Sequence, residues 1–431
     1  MGLQVHAQEG YWLGNITNRN KNWKVAIDFE KKEEIVNAYV DFIDVNGYNR
    51  LFSVTRTDSA LHLERGQPGG KGIIFDGMIK GNVFSGTWSG IGIEKATFRL
   101  ERTKKPVIVQ EEVVFVNKEA TLSGTLLLPG RKGKFPAVVF MHGGAAENRM
   151  VYWGPALKCL KKGIAALIYD KRGVGESKGG DWQQDGLTAL ADDAIAAVEL
   201  LKGRSDIDAK KIAVFGHSEG GWTAPLAASR SDDIAWVIVS GASSTPASEQ
   251  TIYNRHNVMV KGGFDTATVS RGEALWRQLY KAAKLCASDT AEALKLKQIM
   301  SDSIESVHNE PWFSSAALPY PYSTTCPTSG VMQLLFQDPL PIWKKVKVPV
   351  LAIWGDKDIV VPVERSEKEI EDALISAGNT KGTFMIIPQV NHGFLIENPN
   401  AGEWDFPRIA DNYFEDISEW LRKQAIKTTG N

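Results

Sequence analysis

Residues 212–221, IAVFGHSEGG, carry the strongest prediction of the fold, because a strand, a serine between glycines and a helix follow one another there. The first four residues are apolar, and the stretch WTAPLAAS after the glycines is compatible with a helix. A serine at such a strand-to-helix turn is held in a strained conformation that presents its hydroxyl at the edge of a sheet. The pattern predicts Ser218 as a nucleophile, with the backbone amide of Glu219 directed at a developing oxyanion.

Short apolar runs on both sides of this stretch predict the sheet that carries it. Runs that are apolar on both faces are typical of parallel strands covered by helices. Apolar residues at helical spacing over residues 187–202, and a last helix near residues 408–424, supply covering layers. We therefore predict an α/β fold with a doubly wound, mainly parallel sheet. After a hairpin over residues 111–129, its strands are residues 137–141 (AVVFM), 165–169 (AALIY), 212–215 (IAVF), 235–239 (AWVIV), 350–353 (VLAI) and 384–387 (FMII).

The length of 431 residues predicts two or three domains at about 150 residues each. Residues 10–104 alternate apolar and polar positions between turn residues, which favours a small antiparallel β domain, a barrel or a sandwich. Residues 111–426 form the predicted catalytic domain. Residues 243–345 interrupt its strand and helix rhythm, and we interpret them as a helical cap inserted in that domain. The tryptophans of the β domain, Trp12, Trp23 and Trp88, are expected to serve its core more than to stack on a ligand.

A serine nucleophile needs a base and a group that orients the base. Of the seven histidines, only His392 follows a late strand and precedes the final helix, so its loop can reach back to Ser218. Two aspartates, Asp356 and Asp358, follow strand 350–353. We favour Asp358 as the orienting acid because it can project from its loop. Asp356, directly after a glycine, is expected to stabilise the turn.

Two further loops follow buried strands. His142, Gly143 and Gly144 form a glycine-rich loop whose backbone can approach a substrate carbonyl closely. The amide of Gly144 is the predicted second oxyanion donor, with Gly143 as the alternative, and His142 is expected to bond to backbone without moving a proton. The phrase DKRGVGES, residues 170–177, contains a GxG that is weak evidence for a dinucleotide. We interpret it as a structural turn fixed by Asp170 and Arg172.

Composition excludes several other classes of protein. Fifty Lys and Arg against fifty-one Asp and Glu give a net charge of −1, which offers no support for nucleic-acid binding. No run of about 18 apolar residues predicts a membrane span. The three cysteines lack the spacing of a zinc site, so no metal is indicated. Cys286 and Cys326 can pair if the protein is exported, and otherwise all three are reduced thiols.

The first residues leave two localisations open. Val5-His6-Ala7 followed by Gln8 resembles the end of a signal-peptide cleavage site, which predicts a mature periplasmic or secreted protein. The alternative is an ordinary polar N-terminus of a cytoplasmic protein.

Residues 111–426 together resemble the α/β-hydrolase superfamily. The phrases YDKRGVGES, KKIAVFGHSEGG and WGDKDIVVPV are similar to those of the branch related to prolyl oligopeptidases, serine aminopeptidases and bacterial esterases. A preceding β domain of this size is similar to bacterial carboxylesterases that carry one. The resemblance implies Ser218 as nucleophile, Asp358 as acid and His392 as base. The chain departs from the prolyl oligopeptidases because its N-terminal segment is too short for a β-propeller, and because Glu219 stands where those peptidases commonly have tyrosine.

The sequence therefore predicts a serine hydrolase that cleaves small-molecule carboxylic esters through an acyl-enzyme, with no cofactor. Two alternatives remain open. One is a serine peptidase, aminopeptidase or amidase that uses the same triad. The more distant one is a binding protein whose catalytic site is inactive.

Overall fold

The computed structural model describes residues 9–19, 21–32, 35–45, 47–57, 60–67, 70–90, 93–396, 408–410 and 412–427. The segment that resembles a cleavage site, residues 5–8, lies outside these residues.

The predicted antiparallel β region is a closed barrel. In the described part of the chain, eight strands pair antiparallel in sequence order, and the first also pairs with the eighth. Side chains alternate between the two faces of a strand, so every second residue can be buried. In the second strand, Val25, Ile27 and Phe29 all face the core. The strands are β1 (Gly10–Asn18), β2 (Lys21–Lys32), β3 (Ile35–Phe42), β4 (Gly47–Arg56), β5 (Leu61–Gln67), β6 (Gly70–Lys80), β7 (Val83–Gly90) and β8 (Ile93–Thr103).

Aromatic rings fill the interior of the barrel. The ring of Phe98 lies with its centroid 4.8 Å from that of Phe84 and 5.2 Å from that of Phe75, both in edge-on contact. Trp12 and Trp88 are buried in the same cluster, and Trp23 packs against it partly buried. These side chains provide the burial that a small β structure needs.

A second sheet carries the predicted loops, and each predicted run overlaps one of its strands. The strands are β9 (Val109–Asn117), β10 (Ala120–Leu128), β11 (Phe135–Met141), β12 (Ala165–Tyr169), β13 (Ile207–His217), β14 (Trp236–Ser240), β15 (Val350–Gly355) and β16 (Gly382–Ile387). Their order in the sheet is β16-β15-β14-β13-β11-β12-β10-β9. Strand β10 pairs antiparallel with β12, and the pairs from β12 through β11, β13, β14 and β15 to β16 are parallel.

The register of this sheet gathers the ends of its strands. Met141 pairs with Gly216, His217 with Ser240, and Gly355 with Ile387. The carboxyl ends of the parallel strands therefore meet at one edge, where ligands bind in open α/β sheets.

Helices connect the strands, and the longest interval between strands of the sheet is itself helical. The helices of the described residues are α1 (Trp153–Lys161), α2 (Gly186–Lys202), α3 (Gly220–Ala228), α4 (Ala247–Lys261), α5 (Thr266–Leu285), α6 (Thr290–Glu305), α7 (Phe313–Ala316), α8 (Ser329–Phe336), α9 (Leu340–Trp343), α10 (Val363–Ser376) and α11 (Tyr413–Lys427). Helices α4 to α9 all lie between β14 and β15.

The helical insertion has a core and a disulfide of its own. Met259, Leu279, Met300 and Trp312 are buried together in it. Cys286 at the end of α5 and Cys326, shortly before α8, form a disulfide. Of the two states that the sequence left open for these cysteines, the structure has the paired one.

The prediction for the last helix was wrong at its start. The helix begins at Tyr413, because Arg408 and Ile409 form a short strand, β18 (Arg408–Ile409), that pairs antiparallel with β17 (Leu395–Ile396). Pairing with β17 satisfies the backbone hydrogen-bonding groups of Arg408 and Ile409, so the helical spacing of apolar side chains does not decide the local structure.

Candidate active site

The serine turn has the strained geometry that its sequence predicts. Ser218 adopts φ +53°, and its amide donates to the carbonyl of Ser240, the last residue of β14, over 2.9 Å. A Cβ on Gly216 would lie 2.1 Å from the carbonyl oxygen of Gly220, so any side chain there would clash with backbone. The strand and the helix approach each other this closely only because glycine stands at this position.

Three predicted side chains form a chain of hydrogen bonds. Ser218 Oγ lies 2.9 Å from His392 Nε2, and His392 Nδ1 lies 2.7 Å from Asp358 Oδ2. With Nδ1–H donating to the carboxylate, Nε2 presents its lone pair to the serine hydroxyl. The second carboxylate oxygen of Asp358 accepts from two backbone amides, those of Val360 at 2.7 Å and Val361 at 3.0 Å. These bonds fix the carboxylate, whose side chain is only 1% exposed.

Asp356 has other partners. Its carboxylate accepts from the amide of Val390 over 3.4 Å and lies 3.2 Å from Lys357 Nζ. Val390 belongs to the loop that carries His392. Asp356 therefore connects its own loop to the histidine loop, whereas the sequence analysis expected it to stabilise its own turn.

Two other histidines, His142 and His217, stand at the ends of β11 and β13 and are neutral at neutral pH. His142 Nε2 lies 2.6 Å from the carbonyl oxygen of Tyr169, so it contacts backbone at the end of β12. His217 Nδ1 lies 3.1 Å from Ser240 Oγ. Burial lowers the pKa of both rings to about 3, with nearby Lys171 adding to the effect on His142 and His392 to that on His217.

The glycine-rich loop lies beside Glu219. A Cβ on Gly144 would be 3.9 Å from Glu219 Cβ. The amide of Gly143, the alternative donor, already donates to Glu147 Oε2 over 2.9 Å. In the part of the chain that the structure describes, the amides of Gly144 and Glu219 donate to no protein acceptor. Neither amide is therefore used in the hydrogen bonds of the described residues.

The sequence analysis did not predict a buried ion pair that lies beside the glycine-rich loop. Lys171 Nζ lies 2.6 Å from Glu219 Oε1, and the two side chains are only 2% and 6% exposed. Burial lowers the pKa of the Lys171 ammonium and raises that of the Glu219 carboxyl. The available signal was a pair of opposite charges placed directly after β12 and β13 in a sheet whose strand ends meet at one edge.

The neighbours of Lys171 fix the turn after β12, as predicted, but through separate partners. Asp170 accepts from the guanidinium of Arg149 at 2.9 and 3.1 Å and from the amide of Glu176 at 2.9 Å. Arg172 makes two hydrogen bonds to Asp193 of α2, at 2.7 and 2.8 Å. Three consecutive charged residues thus tie one loop to three parts of the protein.

In the described part of the chain, no group of three or more His, Cys, Asp or Glu side chains could hold a metal ion. None of the described helices is both long and apolar enough to cross a membrane.

Known proteins match both this sheet and this site region. A family model described as serine aminopeptidase, S33, matches residues 134–305. Esterase EstD of Thermotoga maritima is 23% identical over 354 residues, which are 78% of this chain and 74% of that protein. Thiohydrolase apmlB of Arthrinium phaeospermum is 28% identical over 156 residues, or 36% of this chain and 51% of that protein.

Among solved structures, proline iminopeptidase of Mycobacterium smegmatis aligns with a TM-score of 0.46 and 14% identity, over 74% of this chain and all of that one. The family model covers the chain from β11 to α6, which includes the turn that carries Ser218. The family model and the esterase relative confirm the resemblance predicted from the sequence, to the α/β-hydrolase superfamily and its branch of serine aminopeptidases and esterases.

Proposed function

We propose that this protein hydrolyses carboxylic esters through an acyl-enzyme formed on Ser218. The observation that carries the proposal is the unbroken chain of hydrogen bonds from Ser218 through His392 to Asp358. This is the geometry in which a histidine can remove the proton of a serine hydroxyl while a carboxylate holds the imidazole.

The reaction proceeds in two halves. Ser218 Oγ attacks the ester carbonyl as His392 Nε2 takes the hydroxyl proton, and the amides of Gly144 and Glu219 donate to the resulting oxyanion. The oxyanion collapses, the bond to the alcohol breaks, and His392 returns the proton to the departing alcohol oxygen. Water, deprotonated by the same imidazole, then attacks the acyl-enzyme, which releases the carboxylic acid and restores the serine. Asp358 stabilises the imidazolium in both halves.

One observation favours an ester over a peptide substrate. The relative that aligns with 78% of the chain bears the name esterase.

Ser218→Ala tests the proposal. It removes the nucleophile without adding bulk, so turnover of p-nitrophenyl esters should fall by about four or more orders of magnitude while the fold is retained. Ser229→Ala, which removes a hydroxyl that donates to Leu226 at the end of the adjoining helix α3, is the matched control and should keep its activity. Near-parental turnover by a folded Ser218→Ala variant would refute the proposal.

The family model's description makes an aminopeptidase the second candidate. Turnover of aminoacyl anilides and of short acyl esters by the same preparation separates the two. We expect esters to be preferred by kcat/KM, and a preference for the anilides would reassign the substrate class while leaving the triad in place.

A further inference from the structure

Lys171 makes more contacts at the site than an ion pair requires. Its ammonium donates to the carbonyl oxygen of Gly143 over 2.7 Å, to Glu219 Oε1 over 2.6 Å and to the carbonyl of Ala145 over 3.4 Å. It also lies 3.9 Å from the ring centroid of Trp182, a cation–π contact. The ammonium has three protons, so these acceptors use its full donor capacity.

The contact with Gly143 determines the direction of the Gly144 amide. The carbonyl of Gly143 and the N–H of Gly144 belong to one planar trans peptide, so they point in opposite directions. A group that holds the carbonyl therefore fixes the N–H on the other side. Glycines flank this peptide on both ends, and without such a hold the backbone freedom of a Gly-Gly step would allow the peptide to rotate.

The rest of the loop is held in the same way. The amide of Gly143 donates to Glu147 Oε2, which leaves the next peptide to be positioned by the lysine. Glu219, whose own amide is the other proposed donor, has its side chain bound to the same ammonium. One buried lysine thus links the two segments that supply the two donors. A charged donor on the carbonyl also polarises the peptide and strengthens its N–H as a hydrogen-bond donor.

We propose that Lys171 is a positioning residue of the oxyanion hole, which holds the Gly143–Gly144 peptide with the Gly144 amide directed at the substrate oxyanion. The inference rests on the proposed function, since it concerns the transition state of the same reaction. It predicts a specific kinetic defect. The donors matter most when the carbonyl oxygen becomes an anion, so loss of Lys171 should reduce kcat and leave KM nearly unchanged.

The test uses Lys171→Met, and also Lys171→Met combined with Glu219→Gln, because the single variant leaves a buried carboxylate without its cation. In the full-length protein the folded variants should lose roughly 10- to 100-fold in kcat for an ester, less than the loss of a donor itself. The inhibition constant of a trifluoromethyl ketone, whose serine adduct carries an oxyanion, should weaken by a similar factor. A purely structural lysine would change the melting temperature without changing this constant.

Lys297 is a matched control. It is also buried, donates to the Tyr322 hydroxyl at 3.1 Å and to the carbonyl of Ser323 at 3.2 Å, and faces the Tyr322 ring at 4.7 Å. Lys297→Met should lower the melting temperature and leave kcat and the inhibition constant unchanged.

The outcomes separate the two proposals. If Ser218→Ala is inactive but the folded double variant keeps parental kcat and ketone affinity, the role of Lys171 is wrong and the proposed function stands. A rise of KM alone would also overturn it. If Ser218→Ala keeps its activity, the proposed function itself fails.

Discussion

Asp356 and Asp358 lie two residues apart in one loop, but their carboxylates serve different partners. Asp358 holds the imidazole of His392, and Asp356 accepts from a backbone amide of the histidine loop. Replacement of Asp358 by Asn presents an amide to Nδ1 and favours the wrong histidine tautomer, so we expect kcat to fall by about 10⁴-fold.

Asp356→Asn is the matched control for that variant. Its amide oxygen can still accept from Val390, so we expect kcat within about threefold of the parent. Ester turnover of the two purified variants decides between the aspartates. Equal losses, or a larger loss for Asp356→Asn, would contradict the assignment of Asp358.

The two buried histidines make a prediction about acid stability. Their pKa of about 3 in the folded protein is below the ordinary value of 6.5, so the unfolded chain binds more protons between these limits. The stability that the two neutral rings contribute is therefore fully present above pH 6.5 and is lost as the pH falls towards 3, by about 1.4 kcal/mol per pH unit for each histidine. His142→Gln keeps a donor for the Tyr169 carbonyl and removes one of the two imidazoles that bind a proton when the chain unfolds. Urea unfolding at pH 7, 6 and 5 should show a shallower pH dependence for this variant, and an unchanged slope would contradict the account.

The disulfide between Cys286 and Cys326 links two segments of the helical insertion that are 40 residues apart in the sequence. Cys159 is the third cysteine, and burial raises the pKa of its thiol to about 12, which keeps it unreactive in the folded state. For protein made in an oxidising compartment, iodoacetamide should modify no cysteine when the protein is folded and one when it is denatured. All three should react after reduction. Intact-mass spectrometry reads the count, and three modified cysteines in denatured, unreduced protein would exclude the disulfide.

Local patterns were sufficient to predict the strands and the loops that meet at their ends. The runs around residues 137–141 and 165–169 are apolar on both faces, and burial between helices leaves few other structures for them. The same reasoning failed near Arg408, because a two-residue strand is decided by a partner at Ile396 that the local pattern does not contain. It also missed the ion pair of Lys171 and Glu219. These residues are 48 positions apart in the sequence, and the order of the strands in the sheet brings them together.

The N-terminal barrel closes on itself. Its described strands pair on both sides, which removes exposed sheet edges, and the described residues of its buried core cluster all lie on its own strands. We therefore expect it to fold independently. A fragment of residues 1–109 should show a β-rich circular dichroism spectrum and cooperative unfolding. A fragment that shows no cooperative transition would contradict this description.

Covalent labelling shows directly whether Ser218 is the nucleophile of an acyl-enzyme. The full-length protein is incubated with a fluorophosphonate, and the adduct is located by peptide mass spectrometry. We expect one label per chain, on Ser218, and no label on Ser218→Ala. A folded protein that remains unlabelled, or a Ser218→Ala variant that is labelled as the parent is, would contradict this role of Ser218.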